Sequence, residues 1–150
     1  MAIIETIVIS NAPNTSWSFS NYGGQRIYCN VNTTLTDVIK TSTSTASNCI
    51  LKTDAWDTIA TVSFSGNTAT FSNILTAWTY YRIECWNSWG WYTLHYSWWS
   101  FPQAGTSINI ISWSKDWSDW DWWSLHLNIY SITTSTESST TNASFLLNFI

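Results

Sequence analysis

The chain is poor in charge. Only 9% of its residues are charged, against about a quarter in a typical soluble domain. Its five cations, Arg26, Lys40, Lys52, Arg82 and Lys115, are too few and too scattered in sequence for a basic footprint, which argues against nucleic acid as a partner. Glycine is scarce as well: 5 residues where average usage of about 7% leads one to expect roughly twice as many. Cysteine occurs three times, at Cys29, Cys49 and Cys85. An odd number rules out a complete disulfide framework within one chain and leaves either one bridge or three small buried strand residues. No run approaches the 18 or so apolar residues of a membrane span, so none is expected. The start, Met-Ala-Ile-Ile-Glu-Thr-Ile-Val-Ile, lacks the basic entry and long apolar core of a signal peptide. Export independent of a signal, or release by lysis as for virion parts, is the corresponding expectation. No window carries a helical apolar stripe over three turns.

Tryptophan is what the chain has in excess, at 13 residues, most of them between Cys85 and Trp123. Tryptophan usually anchors a core or an interface and buries roughly 150 to 250 Å². Here its neighbours are Ser, Asn, Asp and Gly, which form turns. About ten such rings on loops exceed the few hundred Å² of exposed apolar surface that a monomer tolerates. The rings therefore bind something, or pack unusually, or stand where the protein has glycine. Read as glycine, they restore ordinary turn chemistry. Asp54-Ala55-Trp56-Asp57 becomes a hairpin loop, Leu75-Thr76-Ala77-Trp78-Thr79 a strand entry, and Asn87-Ser88-Trp89-Gly90-Trp91 a flexible turn. Each is a place where positive φ favours glycine. Trp17, between Ser16 and Ser18, fits less clearly. The UGA codon means tryptophan in some genetic codes and glycine in others. The literal reading requires packed rings; the glycine reading requires tight turns at positive φ.

Side chains alternate apolar and polar in segment after segment, the period of a half-buried strand. Ile3 to Ser10 is a β-branched run that ends at Asn11-Ala12-Pro13-Asn14, Gln25 to Val31 follows Gly23-Gly24, and Thr34 to Lys40 precedes a polar loop over Thr41 to Ser47. Asn48 to Thr53, Thr58 to Phe64 and Asn67 to Ser72 come next, the last two predicted to pair as a hairpin across Ser65-Gly66. Thr79 to Cys85 is predicted to pair with Tyr92 to Tyr96 across Trp89-Gly90. Ser107 to Ser112 and Leu125 to Ile132 complete the set. About ten short strands with frequent turn signals and no helix predict an all-β, two-sheet antiparallel β-sandwich, most simply a jelly roll. The domain spans residues 1–132. Residues 133–150 form a Ser/Thr-rich segment, read as too polar to pack, and an apolar ending, Phe145 to Ile150, that completes the domain or docks on it.

The run Ile59 to Phe71, followed by Leu75-Thr76-Ala77-Trp78-Thr79-Tyr80-Tyr81-Arg82-Ile83, resembles β-sandwich modules of phage tail and fibre proteins and of bacterial surface proteins. Those carry an L-T-A-G-T-x-Y-x-I strand entry after a hairpin. Trp78 stands where that pattern has glycine. The resemblance covers about residues 47–132 and implies an architecture and an extracellular or virion setting, with no site residues.

Two motifs carry possible chemistry. Asp116, Asp119 and Asp121 place three carboxylates within six residues, a spacing that supplies oxygen ligands to calcium if small residues lie between them; the plainer reading is a solvated acidic turn, with no cofactor. Tyr92, Tyr96, Trp98 and Trp99, with Tyr80, Tyr81 and Phe101, offer ring faces for stacking on a sugar; the plainer reading is cross-strand packing. His95 and His126 with Cys85 lack the spacing of a zinc site. No nucleophile elbow occurs, and pairing Glu84 with Asp116, Asp119 or Asp121 as a glycosidase dyad is not demanded by any spacing. Sequons begin at Asn14, Asn32 and Asn142, as chance produces in a chain rich in Ser and Thr. The expectation is a non-catalytic structural or adhesive module of a virion or cell surface, forming homo-oligomers or binding other surface proteins, with a glycan-binding domain as the alternative.

Overall fold

The computed structural model of the 150-residue chain describes residues 1–9, 15–19, 22–42, 44–87, 92–98, 103–115, 118–120, 124–127 and 129–137. For residues 15–19, 92–98, 118–120 and 124–127, and for Trp113 and Lys115, only the backbone is described. These residues form strands β1 (Ala2–Val8), β2 (Thr15–Phe19), β3 (Gly23–Cys29), β4 (Thr33–Lys40), β5 (Asn48–Thr53), β6 (Thr58–Ser63) and β7 (Thr68–Leu75). The series continues with β8 (Thr79–Trp86), β9 (Tyr92–Trp98), β10 (Gln103–Ala104), β11 (Ile108–Lys115), β12 (Ser118–Trp120), β13 (Ser124–Leu127) and β14 (Ile129–Glu137). No helix occurs among the described residues, so none is long and apolar enough to cross a membrane.

The molecule is an all-β, antiparallel sandwich. One sheet has four strands in the order β1-β14-β4-β7; the other has the path β10-β11-β3-β8-β5-β6, with β12 on β11. Eight of these strands pair as a nested series, β1 with β14, β3 with β8, β4 with β7 and β5 with β6. Alternate pairs of that series fall in opposite sheets, which is the order of a ribbon folded over on itself: a jelly roll. A further sheet, β13-β9-β2, combines two strands from between β8 and β14 with one, β2, from between β1 and β3.

The core forms where the two main sheets turn their apolar sides to each other. Ile27, Cys29, Cys49, Leu51, Ile83, Cys85, Ile108 and Ile110 come from one sheet, and Leu35, Val38, Ala69, Phe71, Leu75, Ile129 and Ile132 from the other. Each fully buried Leu or Ile contributes about 1.5–3 kcal/mol before chain entropy is counted. All three cysteines are free and buried, so one bridge is absent and the small-hydrophobe reading holds. Polar ties cross the sandwich margin. Glu5 accepts from the backbone N–H of Thr106 (2.8 Å) and Ser107 (3.0 Å) and from Ser107 Oγ (2.7 Å). Lys40 Nζ donates to the Ala46 carbonyl at 2.8 Å.

Three expectations about connection are corrected. The turn at Gly66 exists, closed by Ser65 N–H to Thr68 O (2.8 Å) and Thr68 N–H to Ser65 O (3.1 Å). Yet β6 and β7 leave it for different sheets, each completing a layer with its own neighbour. β8 does not pair with β9, because β3 and β5 already occupy both its edges. And residues 133–137 are not too polar to pack: they are the second half of β14, between β1 and β4. Threonine suits this position, since its branched side chain favours strands and its hydroxyl finds partners, Thr6 with Thr133 at 2.8 Å and Thr33 with Thr136 at 2.6 Å. Residues 138–150 lie outside the described residues.

Candidate functional site

Period-2 alternation gives the larger sheet a second face. Where β8 turns Tyr81, Ile83 and Cys85 to the core, it turns Tyr80, Arg82, Glu84 and Trp86 away from it. Cross-strand register then sets Arg26 of β3 and Lys52 of β5 directly opposite Arg82. Three of the chain's five cations thus stand side by side, although their sequence positions looked scattered. Like charges in adjacent register repel, so the row stands only because carboxylates are supplied to it.

Asp54, in the loop just after β5, receives Arg26 through both oxygens, Nε to Oδ1 at 2.8 Å and Nη2 to Oδ2 at 2.9 Å. Arg82 reaches the same residue, Nη2 to Oδ1 at 3.2 Å and Nε to the Asp54 carbonyl at 3.0 Å. Glu84, one position along the same face of β8, takes Lys52 Nζ as an ion pair at 2.8 Å. Ser114 joins the two halves: its hydroxyl accepts from Arg82 Nη1 (3.1 Å) and donates to Glu84 Oε2 (2.9 Å). That reach from β11 to β8 crosses β3 at Gly24, which is opposite both Ser114 and Glu84 and has no side chain to intervene.

Aromatic rings pack on the cations. Arg82 Cζ lies 3.6 Å from the Trp56 ring centroid, Lys52 Nζ 3.8 Å from Tyr22, and Arg26 Cζ 4.1 Å from Tyr80. Tyr22 stacks on Trp86 at 5.2 Å, and Tyr28 tilts against Tyr80 at 4.8 Å. The cluster grades from closed to open. Glu84, Ser114, Arg82 and Lys52 are at most 5% exposed, whereas the Asp54 side chain is 41% exposed. Burial pushes the Glu84 carboxyl above its usual range, against the pull of Lys52, Ser114 and Arg82. The hydrogen bond from Arg26 holds Asp54 below its usual range, outweighing partial burial, with the charges of Arg26 and Arg82 adding to it. The closed end is an ion-pair network between β3, β5, β8 and β11. The open end presents a carboxylate, a guanidinium and the Tyr28–Tyr80 pair to solvent.

No family model, curated protein or solved structure matches the chain. The arrangement of its own residues is therefore the basis for a functional reading.

The residues singled out in the sequence are distributed differently. Tyr92, Tyr96 and Trp98 lie on β9, paired in register with Phe19, Thr15 and Ser124 respectively; their side chains, with Trp99 and Phe101, lie outside the described residues. Tyr80 and Tyr81 do not share a platform with each other. Tyr80 is outward and part-exposed, while Tyr81 is buried and accepts from the Thr76 N–H at 2.9 Å. The backbone of Asp119 is opposite Ser114 on β12, and Asp116 and Asp121 lie outside the described residues. Cys85 faces the core opposite Cys49, in a different sheet from His95 and His126. Among the described residues no group of three metal-ligating side chains occurs. Among the described residues, shallow grooves flank the four-stranded sheet. One, of about 170 Å³, is lined by Ile3, Ile4, Glu5 and Val31; the other, of about 230 Å³, by Asn32, Thr34 and Ile74. Both fall short of the roughly 300–1,000 Å³ of a small-molecule site.

The cluster itself was open to sequence reasoning. In so charge-poor a chain, Lys52, Arg82 and Glu84 within apolar alternating strands are conspicuous, but only the pairing of β3, β8 and β5 brings them together.

Proposed function

We propose that the protein is a non-catalytic structural or adhesive sandwich module of a virion or cell surface, working by association through its sheet edges. The observation that carries this reading is β1. Among the described residues it is an edge strand, paired on one side with β14, and it exposes Ile3 (56%) and Ile4 (63%) on its two faces. Edge strands of monomers are normally blunted by charge, proline or a bulge. The only charged side chain within β1, Glu5, is turned inward to Thr106 and Ser107 and so guards nothing. A partner strand on that edge satisfies its free backbone groups and covers both isoleucines. Sedimentation of the purified chain tests this. A concentration-dependent oligomer that dissociates in Ile4→Lys is expected, and a monomer at all concentrations would overturn the reading.

A glycan-binding role is the second reading. It is favoured by the Tyr28–Tyr80 pair beside the Arg26–Asp54 fork, where ring faces and hydrogen-bonding groups lie together at the open end of the cluster. Reproducible binding on a glycan array, lost in Tyr80→Ala, is its expected signature. A silent array removes it.

A further inference from the structure

Three described residues have φ in the left-handed region: Gly66 at 61°, Trp56 at 72° and Trp78 at 62°. Glycine adopts this conformation freely, and Asn or Asp with little penalty. A bulky side chain there is a genuine outlier. That both non-glycine cases are tryptophan, in a chain with 13 tryptophans and 5 glycines, calls for one cause.

The local geometry shows what each position requires. Thr53 and Asp57 bracket a three-residue loop, with Thr53 N–H to Asp57 O at 2.8 Å and Trp56 N–H to Thr53 O at 3.0 Å. This is a hairpin built on a type I turn and closed by one left-handed residue, a place that glycine ordinarily takes. Trp56 is that residue. Trp78 lies in the crossing from β7 in one sheet to β8 in the other, held by its N–H to the Cys29 carbonyl at 2.7 Å. Ala77 beside it is held by Asn32 Oδ1 at 2.8 Å. The backbone bonds at both sites are well made, so the turns themselves are sound and the side chain is the misfit. Trp56 recovers a contact by covering Arg82. Trp78 is 80% exposed, carrying a large ring into solvent from a backbone conformation that disfavours it.

We propose that Trp56 and Trp78 are glycine positions of the native protein, encoded by UGA and read as glycine in the cell that makes it. One codon with two meanings accounts for a bulky ring at both turns where the backbone suits glycine. Applied to Trp117 and Trp120, the same reading leaves only small residues between the carboxylates of Asp116, Asp119 and Asp121. It also removes Trp98 and Trp99 from any sugar platform.

Trypsin cleaves after Lys52 and Arg82 with no Lys or Arg between them, so a single peptide, Thr53 to Arg82, contains both positions. Sequencing that peptide by tandem mass spectrometry, from protein made by its own source, is the test. Glycine at both positions is expected; tryptophan at either overturns the proposal. Recombinant chains give an independent arm. Trp78→Gly is expected to raise the melting temperature by about 2–4 °C, the response of a chain this size to relief of roughly 1 kcal/mol. Trp78→Ala, which keeps the Cβ at positive φ, is expected to recover less. A Trp78→Gly chain that melts lower than the literal one counts against the proposal.

Discussion

Arg82 is where the competing forces of this fold are easiest to weigh. It stands between two other cations, is almost fully buried, and is satisfied by Asp54 and Ser114. Burying ions costs several kcal/mol each, and the network repays this only when every partner is present. Lys52→Met leaves Glu84 buried beside Ser114 without its ammonium and should destabilise the protein by about 3–5 kcal/mol, read from chemical denaturation. The double variant Lys52→Met/Glu84→Gln should recover much of that loss, because no charge is then stranded; a double variant as weak as the single would show that the pair does not act as a unit. The carboxylates also fix the response to acid. Asp54 has a lowered pKa, so its contribution is fully present above its ordinary value of 3.8 and disappears as pH falls through its lower folded value. Glu5 behaves the same way: burial alone would raise it, but its bonds from Ser107 and Thr106 prevail. Glu84 has the opposite sign. Its raised pKa means that the native state binds its proton more tightly, so this residue costs stability as pH rises from its ordinary 4.5 through the folded value. Denaturation midpoints measured across acid pH should therefore fall less steeply in Asp54→Asn than in the parent.

At the scale of elements, β3 is the strand on which most depends. It lies between β11 and β8, carries Ile27 and Cys29 into the core, and lends Arg26 to the other face. Gly24 lets it approach β8 closely: a Cβ there would lie 1.9 Å from the Ile83 carbonyl oxygen. Gly24→Ala should therefore fail to fold, or lose at least about 4 kcal/mol, as seen in the melting profile, and retention of the parent stability would show that this register is misassigned. Strand placement was largely legible in the chain. Asn48 to Thr53 is legible with its observed ends, and Thr33 to Lys40 to within one residue, because apolar runs, alternation and flanking turns are local signals. The partners of those strands were less legible. The Gly66 turn was recognised, but a tight turn does not say whether its strands lie in one sheet or step across to the other. Thr133 to Glu137 looks too polar to pack in the sequence because its polarity outweighs its β-branching, although a central strand accepts threonine wherever hydroxyl partners are available.

For the whole molecule, the nested pairing has a kinetic consequence. Ala2 pairs with Glu137, so the outermost ribbon closes only after nearly the entire described chain has been brought together. Loop-closure entropy is spent before such contacts form, and folds dominated by them refold in milliseconds to seconds. Stopped-flow refolding should show relaxation on that scale or slower, and a microsecond phase carrying the full amplitude would contradict the topology. What the sequence by itself determined is the material of the fold: extended segments, each with an apolar side, few charges, and many tryptophans beside few glycines. Those are properties of neighbouring residues, and neighbouring residues are all that a sequence pattern reports. Only the tertiary structure decided which strands share a sheet, that Arg26, Arg82 and Lys52 form one row, and that Trp56 and Trp78 occupy left-handed turns. Each of these depends on segments distant in the chain closing on one another, and alternation carries no information about which of many equally apolar edges will meet.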